Sequence, residues 1–408
     1  YLEFTFDPSS TYEADLALDQ MEVYTCVTCP APYGLTVSNI QNTSADIDWT
    51  SSASQWLVEY GPSGFVPGSG DTMIVNSKPA TLSNLNQATI YDVYVKDICS
   101  VGDTSATAGP LTFNTTTAPL CGSYSIGDTT GGASYDFPSF NRARDYLTIG
   151  GVSCPVTFQV ASGTYNEQVS FDSIPGSSAT NTVTFTSLTG DSTDVVLQYA
   201  STGTSDLHTV LLNNVDYLTF NQMTIKGSAT DYGRVISMEN LPQNITIQNC
   251  VIEAPVYSSS YSCPIYSINN PVHNLTIQNN HIIGGYYGIY MDGESSNNMT
   301  NFVVENNVIE DYYYYGVYTY YQFNAQIKNN ILRNDAASSS SVYGIRAYYN
   351  DQTSITGNDI NVAGTGTHYG IYFRGEGTSA NPNLVANNLI NLNGTGTSTW
   401  YGTYIYYN

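Results

Sequence analysis

The chain has 408 residues, 34 of them acidic and 10 lysine or arginine, for a formal net charge of −24. That balance excludes nucleic-acid binding, which needs clustered cations against phosphates, and electrostatic docking on anionic lipid. Hydrophobic residues reach 41%, too many for a disordered chain, and no apolar run approaches the roughly 18 residues of a membrane span.

Residues 1–27 alternate weakly through Leu16, Leu18, Met21 and Val23 and end at Cys26. So short a segment cannot bury a core of its own. It reads as the last strands of an upstream, jelly-roll-like β-sandwich, or as a strand donated to a neighbouring subunit. The chain starts at Tyr1 and stops inside a repeat, so both ends are expected to be cut from a longer polypeptide.

Residues 28–116 hold seven short strand candidates separated by turn residues at sandwich spacing. They run Leu35–Ile40, Ala45–Trp49, Trp56–Tyr60, Met73–Val75, Ala80–Leu82, Tyr91–Val95 and Leu111–Phe113. Trp49 in the second candidate, then Leu82-x-x-Leu85, then Thr89-x-Tyr91-x-Val93-x-Val95 resembles the fibronectin type III domain. The resemblance implies a core Trp49 and a Tyr91 that forms the corner before the sixth strand, both structural roles. No Arg-Gly-Asp loop is present, so integrin-type recognition is not implied.

The seven cysteines are Cys26, Cys29, Cys99, Cys121, Cys154, Cys250 and Cys263. Cys26-x-x-Cys29 has neither a second such pair for zinc nor a thioredoxin-like context. Disulfides of an oxidising compartment are expected instead. The candidate pairs are Cys29–Cys99, Cys121–Cys154 and Cys250–Cys263, with Cys26 left over. Cys29-Pro-Ala-Pro and Ile98-Cys99 resemble the forms common in large secreted Bacteroidetes proteins.

Residues 117–408 begin with a short linker and a helix over Phe140–Ile149. Ser139 is placed to cap it, Phe140, Ala143 and Leu147 share one face, and Gly150-Gly151 stops it. Such a helix is needed over the open end of a stacked-strand solenoid. Beyond residue 215 the element x-[IVF]-x-N-[NC]-x-[IL] recurs. Its last residues are Met223, Cys250, Asn280, Asn307, Asn330, Asn358 and Asn388, spaced 23 to 30 apart. A period in the twenties signals a solenoid, and the leucine-rich skeleton that is its rival is missing. Asn280, Asn307, Asn330, Asn358 and Asn388 are expected to form a ladder at a tight bend. Asparagine tolerates left-handed backbone, and its amide can bond to the coil above and below. The pattern resembles right-handed parallel β-helices of the pectin lyase-like superfamily, a fold that hosts lyases, hydrolases, esterases and non-catalytic adhesins.

Ser162-Gly-Thr-Tyr-Asn-Glu-Gln-Val169 resembles a segment at the start of pectinesterases, but the catalytic Asp segment of that family has no match. Glycoside hydrolysis needs two facing carboxylates. The acids here (Asp292, Glu294, Glu305, Glu310, Asp311, Asp351, Asp359 and Glu376) are scattered. Arg346 and Arg374, a coil apart with tyrosines nearby, are the one pairing a polysaccharide lyase would use. His208, His273, His281 and His368 lack metal spacing, and no Ca²⁺ loop is found, so no cofactor or metal is assigned although the acidic balance is compatible with Ca²⁺.

A second repeated element, aromatic-Gly-aliphatic, starts at Tyr287, Tyr315, Tyr343, Tyr369 and Tyr401. With Ile289, Val317, Ile345, Ile371 and Thr403 inward, strand alternation sends Tyr290, Tyr318, Arg346, Tyr372 and Tyr404 outward. Two residues on, Asp292, Tyr320, Tyr348, Arg374 and Tyr406 follow. Tyr312–Tyr315 is expected at a turn that enlarges this face. Stacked tyrosines stabilise sheets by themselves, but tyrosine and arginine also dominate contact surfaces.

The sequence therefore reads as an all-β chain, a fibronectin type III-like sandwich followed by a right-handed parallel β-helix with an N-terminal cap helix. The expected function is a non-catalytic structural or adhesive segment of a large secreted cell-surface protein. It resembles type IX-exported Bacteroidetes adhesins, with other copies or domains of the same protein, or a cell-surface or glycan ligand, as partners. A polysaccharide-active enzyme or glycan-binding module is the alternative.

Overall fold

The computed structural model describes residues 29–128, 133–228, 232–256, 259–338, 341–375, 381–394 and 397–406. The expectations for residues 1–27, Cys26 and Glu376 lie outside the described residues. The chain divides into two compact units.

The first unit is a sandwich of antiparallel strands. One sheet pairs Tyr33–Ser38, Ser44–Thr50 and Ala80–Ser83. The other is built on Trp56–Pro62 and Ile90–Ser100, flanked by Asp71–Val75 and Ala108–Asn114. β-Branched and aromatic residues alternate inward: Ile47, Val58, Leu82, Val93 and Val95 are buried, and Trp49 meets Trp56 edge-to-face at 5.5 Å. Tyr91 lies inside the sixth strand, stacked on Phe113 at 5.9 Å. Cys29 and Cys99 are disulfide-bonded with Cα atoms 5.7 Å apart.

The second unit is a solenoid of three parallel sheets, each strand pairing with its equivalents one coil before and after. The first sheet includes Thr246–Gln248, Thr276–Gln278, Val303–Glu305, Gln326–Lys328 and Ser354–Thr356. The second includes Val251–Ala254, His281–Gly284, Val308–Glu310, Ile331–Ser338 and Asp359–Gly364. The third includes Tyr287–Asp292, Tyr315–Tyr320, Val342–Asn350, His368–Gly375 and Trp400–Tyr406. Their inward residues fuse into one apolar core from Leu120 to Phe373. Cys121 and Cys154 are bonded near its start, Cα atoms 4.8 Å apart.

The helix spans Phe140–Gly150. The Ser139 side chain accepts the Arg142 N–H, and Phe140, Ala143 and Leu147 are buried. Glu167 supplies a second cap, accepting the N–H groups of Phe140 at 3.1 Å and Asn141 at 2.9 Å. A carboxylate there satisfies two orphan donors and complements the helix dipole. Tyr165 packs edge-to-face on Phe140 at 5.2 Å and donates to the Ala161 carbonyl at 2.8 Å. The pectinesterase-like segment thus holds the cap helix.

At the bend between first and second sheets, the two jobs expected of one asparagine are divided between two. The left-handed position belongs to the preceding residue: Asn249, Asn279, Asn306, Asn329 and Asn387 have φ of 55–57°, and Gly357 takes φ 69°. The ladder residues turn inward instead. Asn280, Asn307, Asn330 and Asn358 are buried, while Asn388 is half-buried. Asn307 Nδ2 donates to Ile277 O at 2.9 Å and to Asn330 Oδ1 at 3.0 Å. Its own Oδ1 accepts from Asn280 N at 2.9 Å and Asn280 Nδ2 at 3.0 Å. The same pattern runs on to Asn388. A second, exposed row missed in the sequence follows Asn244, Asn274, Asn301 and Asn324, with side-chain bonds of 2.8–2.9 Å.

The Cys250–Cys263 pairing is overturned. Both thiols are free and buried. Cys250 occupies a ladder position, its N–H bonded to Asn280 Oδ1 and its thiol to Gln248 O. Cys263 sits on the third sheet and bonds Ile265 O. One lies at the bend between the first and second sheets and the other within a strand of the third sheet.

Candidate functional site: a tyrosine–arginine face

Strand register on the third sheet builds the site. Tyr290, Tyr318, Arg346, Tyr372 and Tyr404 are aligned coil to coil, and so are Asp292, Tyr320, Tyr348, Arg374 and Tyr406. Ile289, Val317, Ile345 and Ile371 are buried beneath them. Thr403, expected inward by the same alternation, is exposed, because no described residue packs over the last coil.

A third column, Tyr287, Tyr315, Tyr343, Tyr369 and Tyr401, joins the face. Strict alternation would have sent it inward with Ile289. Glycine breaks the alternation. A Cβ on Gly316 would stand 2.6 Å from Gly344 O and 2.8 Å from a Leu332 methyl, and Gly288, Gly344 and Gly370 are equally crowded. Glycine and the following aliphatic residue are both buried, so the tyrosines on either side share the outer surface. The signal in the sequence was the glycine itself, recurring at one strand position.

The coil rise of about 4.8 Å brings the rings into contact. Tyr290 and Tyr318 stack at 4.5 Å and 7°, Tyr343 and Tyr369 at 4.6 Å and 7°, and Tyr287 and Tyr315 at 5.3 Å and 8°. Columns also touch, with Tyr287 and Tyr290 centroids 4.5 Å apart. Stacking hides much of the face. Tyr315 and Tyr318 are only 5% and 8% exposed, against 44% for Tyr406, so the stacked ring faces are largely covered. Tyr312, expected to enlarge the face, turns into the core and is fully buried, while Tyr313 stacks on Tyr286 at 5.3 Å.

The arginines are wedged among the rings. Arg346 lies 5.3–5.7 Å from the centroids of Tyr315, Tyr318, Tyr343, Tyr348 and Tyr372, and it donates to the Tyr315 hydroxyl. Arg374 lies over Tyr349 at 4.1 Å and donates to the Tyr348 hydroxyl at 2.6 Å. Among the described residues neither forms a salt bridge. By contrast Lys328 pairs Glu305 at 3.2 Å and Arg333 pairs Asp359 at 2.5 Å. At the other end of the face, burial pushes the Asp292 carboxyl up to about 6, opposed by a 3.4 Å hydrogen bond from the Tyr290 hydroxyl. Burial likewise raises the phenols, Tyr318 and Tyr343 to about 12, with Asp292 adding to it at Tyr318 and Tyr314 at Tyr343, and Arg346 opposing it at both. A phenol acting as a lyase base near neutral pH needs the opposite shift.

Residues 218–408 match the family model described as periplasmic copper-binding protein (NosD), and residues 30–114 match that of the fibronectin type III domain. No curated protein matches this chain. Among solved structures, the FN3 domain of human collagen XX is 26% identical, covering 25% of this chain and all of that one (TM-score 0.17). The pectin methylesterase from Aspergillus niger is 11% identical, covering 71% of this chain and 87% of that one (TM-score 0.34). A copper site does not fit the side chains present. Among the described residues no three His, Cys, Asp or Glu side chains converge, His281 is bonded to Glu310, His273 to Thr300, and the free thiols are buried apart. The chain carries a fibronectin type III domain followed by a NosD-type parallel β-helix.

Proposed function

We propose that this chain is a non-catalytic contact module of a secreted or cell-surface protein, in which the β-helix is a rigid carrier and the tyrosine–arginine face meets the partner. One observation carries the reading. Successive coils repeat tyrosine or arginine at three outward positions of a single sheet, joined by ring contacts and phenol–guanidinium bonds. Tyrosine and arginine at a rigid surface supply contact area with little entropy to lose. The two disulfides suit an oxidising compartment, and no described helix is long and apolar enough to cross a membrane. Covered ring faces disfavour sugar stacking, so recognition through hydroxyls and charges is the better fit.

Two experiments test the proposal. Replacing Tyr318, Tyr348 and Tyr372 together by Ser should abolish binding to cells or to the parent assembly while circular dichroism stays that of the wild type. Unchanged binding by a folded variant would leave the face with a structural role alone. Incubation with acidic and neutral polysaccharides should release neither reducing ends nor unsaturated products, and either product would sink the non-catalytic reading.

A further inference from the structure

One column of the tyrosine–arginine face carries opposite charges on two of its rungs and tyrosines between them. Down that column run Asp292, Tyr320, Tyr348 and Arg374, four successive coils in strict register. The carboxylate and the guanidinium stand about 14 Å apart, three coil rises of about 4.8 Å. Each is half-buried among rings, and among the described residues neither has an oppositely charged partner, although most other solenoid cations are paired. Arg346, in the adjoining column, stands on the Tyr348 rung, one coil from Arg374 on the side towards Asp292. Read in reverse, the column is its own charge complement.

From this order we infer that the face docks a second copy of the same chain, antiparallel, about a two-fold axis between the Tyr320 and Tyr348 rungs. The inference rests on the contact-module reading and names its partner. In that arrangement Asp292 of one chain meets the partner subunit's Arg374 and the reverse, while Tyr320 meets the partner subunit's Tyr348. Such an isologous contact pairs four half-buried charges with two residue types. An external polyanion would leave Asp292 uncompensated and a cationic partner both arginines, whereas this arrangement leaves only Arg346 without a counter-charge, opposite the partner subunit's Tyr318.

Size sets the strength. Five residues at about 3.3 Å by four coil steps of about 4.8 Å give on the order of 300–400 Å² per partner. A stable pair buries about 800 Å² per partner, so the isolated contact is weak. The net charge of −24 on each copy opposes approach at low salt. At about 0.15 M that repulsion is screened beyond roughly 8 Å, and the local pairs decide. Copies arrayed on facing surfaces would gain further by avidity.

The test is sedimentation equilibrium of the full chain at about 0.15 M salt, up to millimolar concentration, with Asp292→Arg and Arg374→Asp. Wild type should dimerise weakly. Each variant alone should lose association by about tenfold or more, since two attractive pairs become two repulsive ones. An equimolar mixture of the two variants should regain it, because each then supplies what the other lacks. The milder Asp292→Asn and Arg374→Gln variants, which place no new charge among the rings, should weaken association several-fold. A wild type that stays monomeric, or a mixture of folded variants no better than either alone, overturns the inference. Cell binding that is still lost in the triple tyrosine variant would then keep the contact-module reading alive with a different partner.

Discussion

Asn307→Ala removes one rung from the buried ladder and should be among the most damaging single substitutions in the solenoid. Four hydrogen bonds of 2.9–3.0 Å disappear, two donated by Nδ2 and two accepted by Oδ1. The site is 1% exposed, so water does not readily replace them. At about 1 kcal/mol net per bond, with the Asn280 N–H left unpaired, the loss is about 4 kcal/mol. Asn306→Ala is the control. It keeps every ladder bond and adds only the left-handed backbone penalty at φ 56°, about 1–2 kcal/mol, which Asn306→Gly would not incur. Urea unfolding followed by far-ultraviolet circular dichroism gives the totals. Because a solenoid opens coil by coil, hydrogen exchange at the Asn280 amide locates the loss. A cost for Asn307→Ala below about 1 kcal/mol, or no larger than that of Asn306→Ala, would refute the ladder as a main support of the stack.

Gly316→Ala should destabilise by about 1–3 kcal/mol through overpacking against Gly344 O, whereas Gly402→Ala, with nothing within 4 Å, should be neutral in the same thermal melts. His368, 1% exposed beside Trp400, has its pKa lowered from 6.5 by burial, partly offset by the Gly364 backbone, which accepts from the protonated imidazole. The unfolded chain then binds the proton more readily, so stability should fall as pH drops through about 6.5, and His368→Phe should flatten that slope in pH-dependent melts. Burial raises both free thiols to about 12, so Cys250 and Cys263 should resist alkylation in the folded protein and react only in denaturant, as peptide mass spectrometry would report.

What the sequence made legible follows from what repeats. The Asn-Asn and Tyr-Gly-aliphatic elements recur at strand positions, so the period, the register and both outward columns beyond residue 215 could be read before any coordinates, while the earlier coils carry neither element. The burial of Trp49 and the Cys29–Cys99 bridge were readable because a sandwich core and its poles constrain few residues strongly. Cys250 misled because a cysteine can occupy a ladder position as a small buried residue, and sequence nearness to Cys263 says nothing about which part of a coil each occupies. Glu167 was legible only as part of a borrowed motif; its pairing with a helix N-terminus 26 residues earlier is a tertiary fact. The left-handed position fell one residue before its expected place because composition marks the bend, not which of two asparagines bears it.

The glycine column links the two halves of the solenoid's chemistry. Gly288, Gly316, Gly344 and Gly370 leave room for Ile309, Leu332, Ile360 and Ile390 beneath the third-sheet strands, while the backbone coil rise of about 4.8 Å sets the tyrosine spacing above. Rings held at 4.5–5.3 Å cover one another's faces, so the outer surface offers little flat aromatic area. Stability and recognition are therefore not competing explanations of the tyrosines. The stack holds the rings and both arginines in place, which lowers the entropy cost of any contact they make. Under the proposed self-docking the face would select by the order of its charges, and that order, Asp292 three coils before Arg374, is set by strand register.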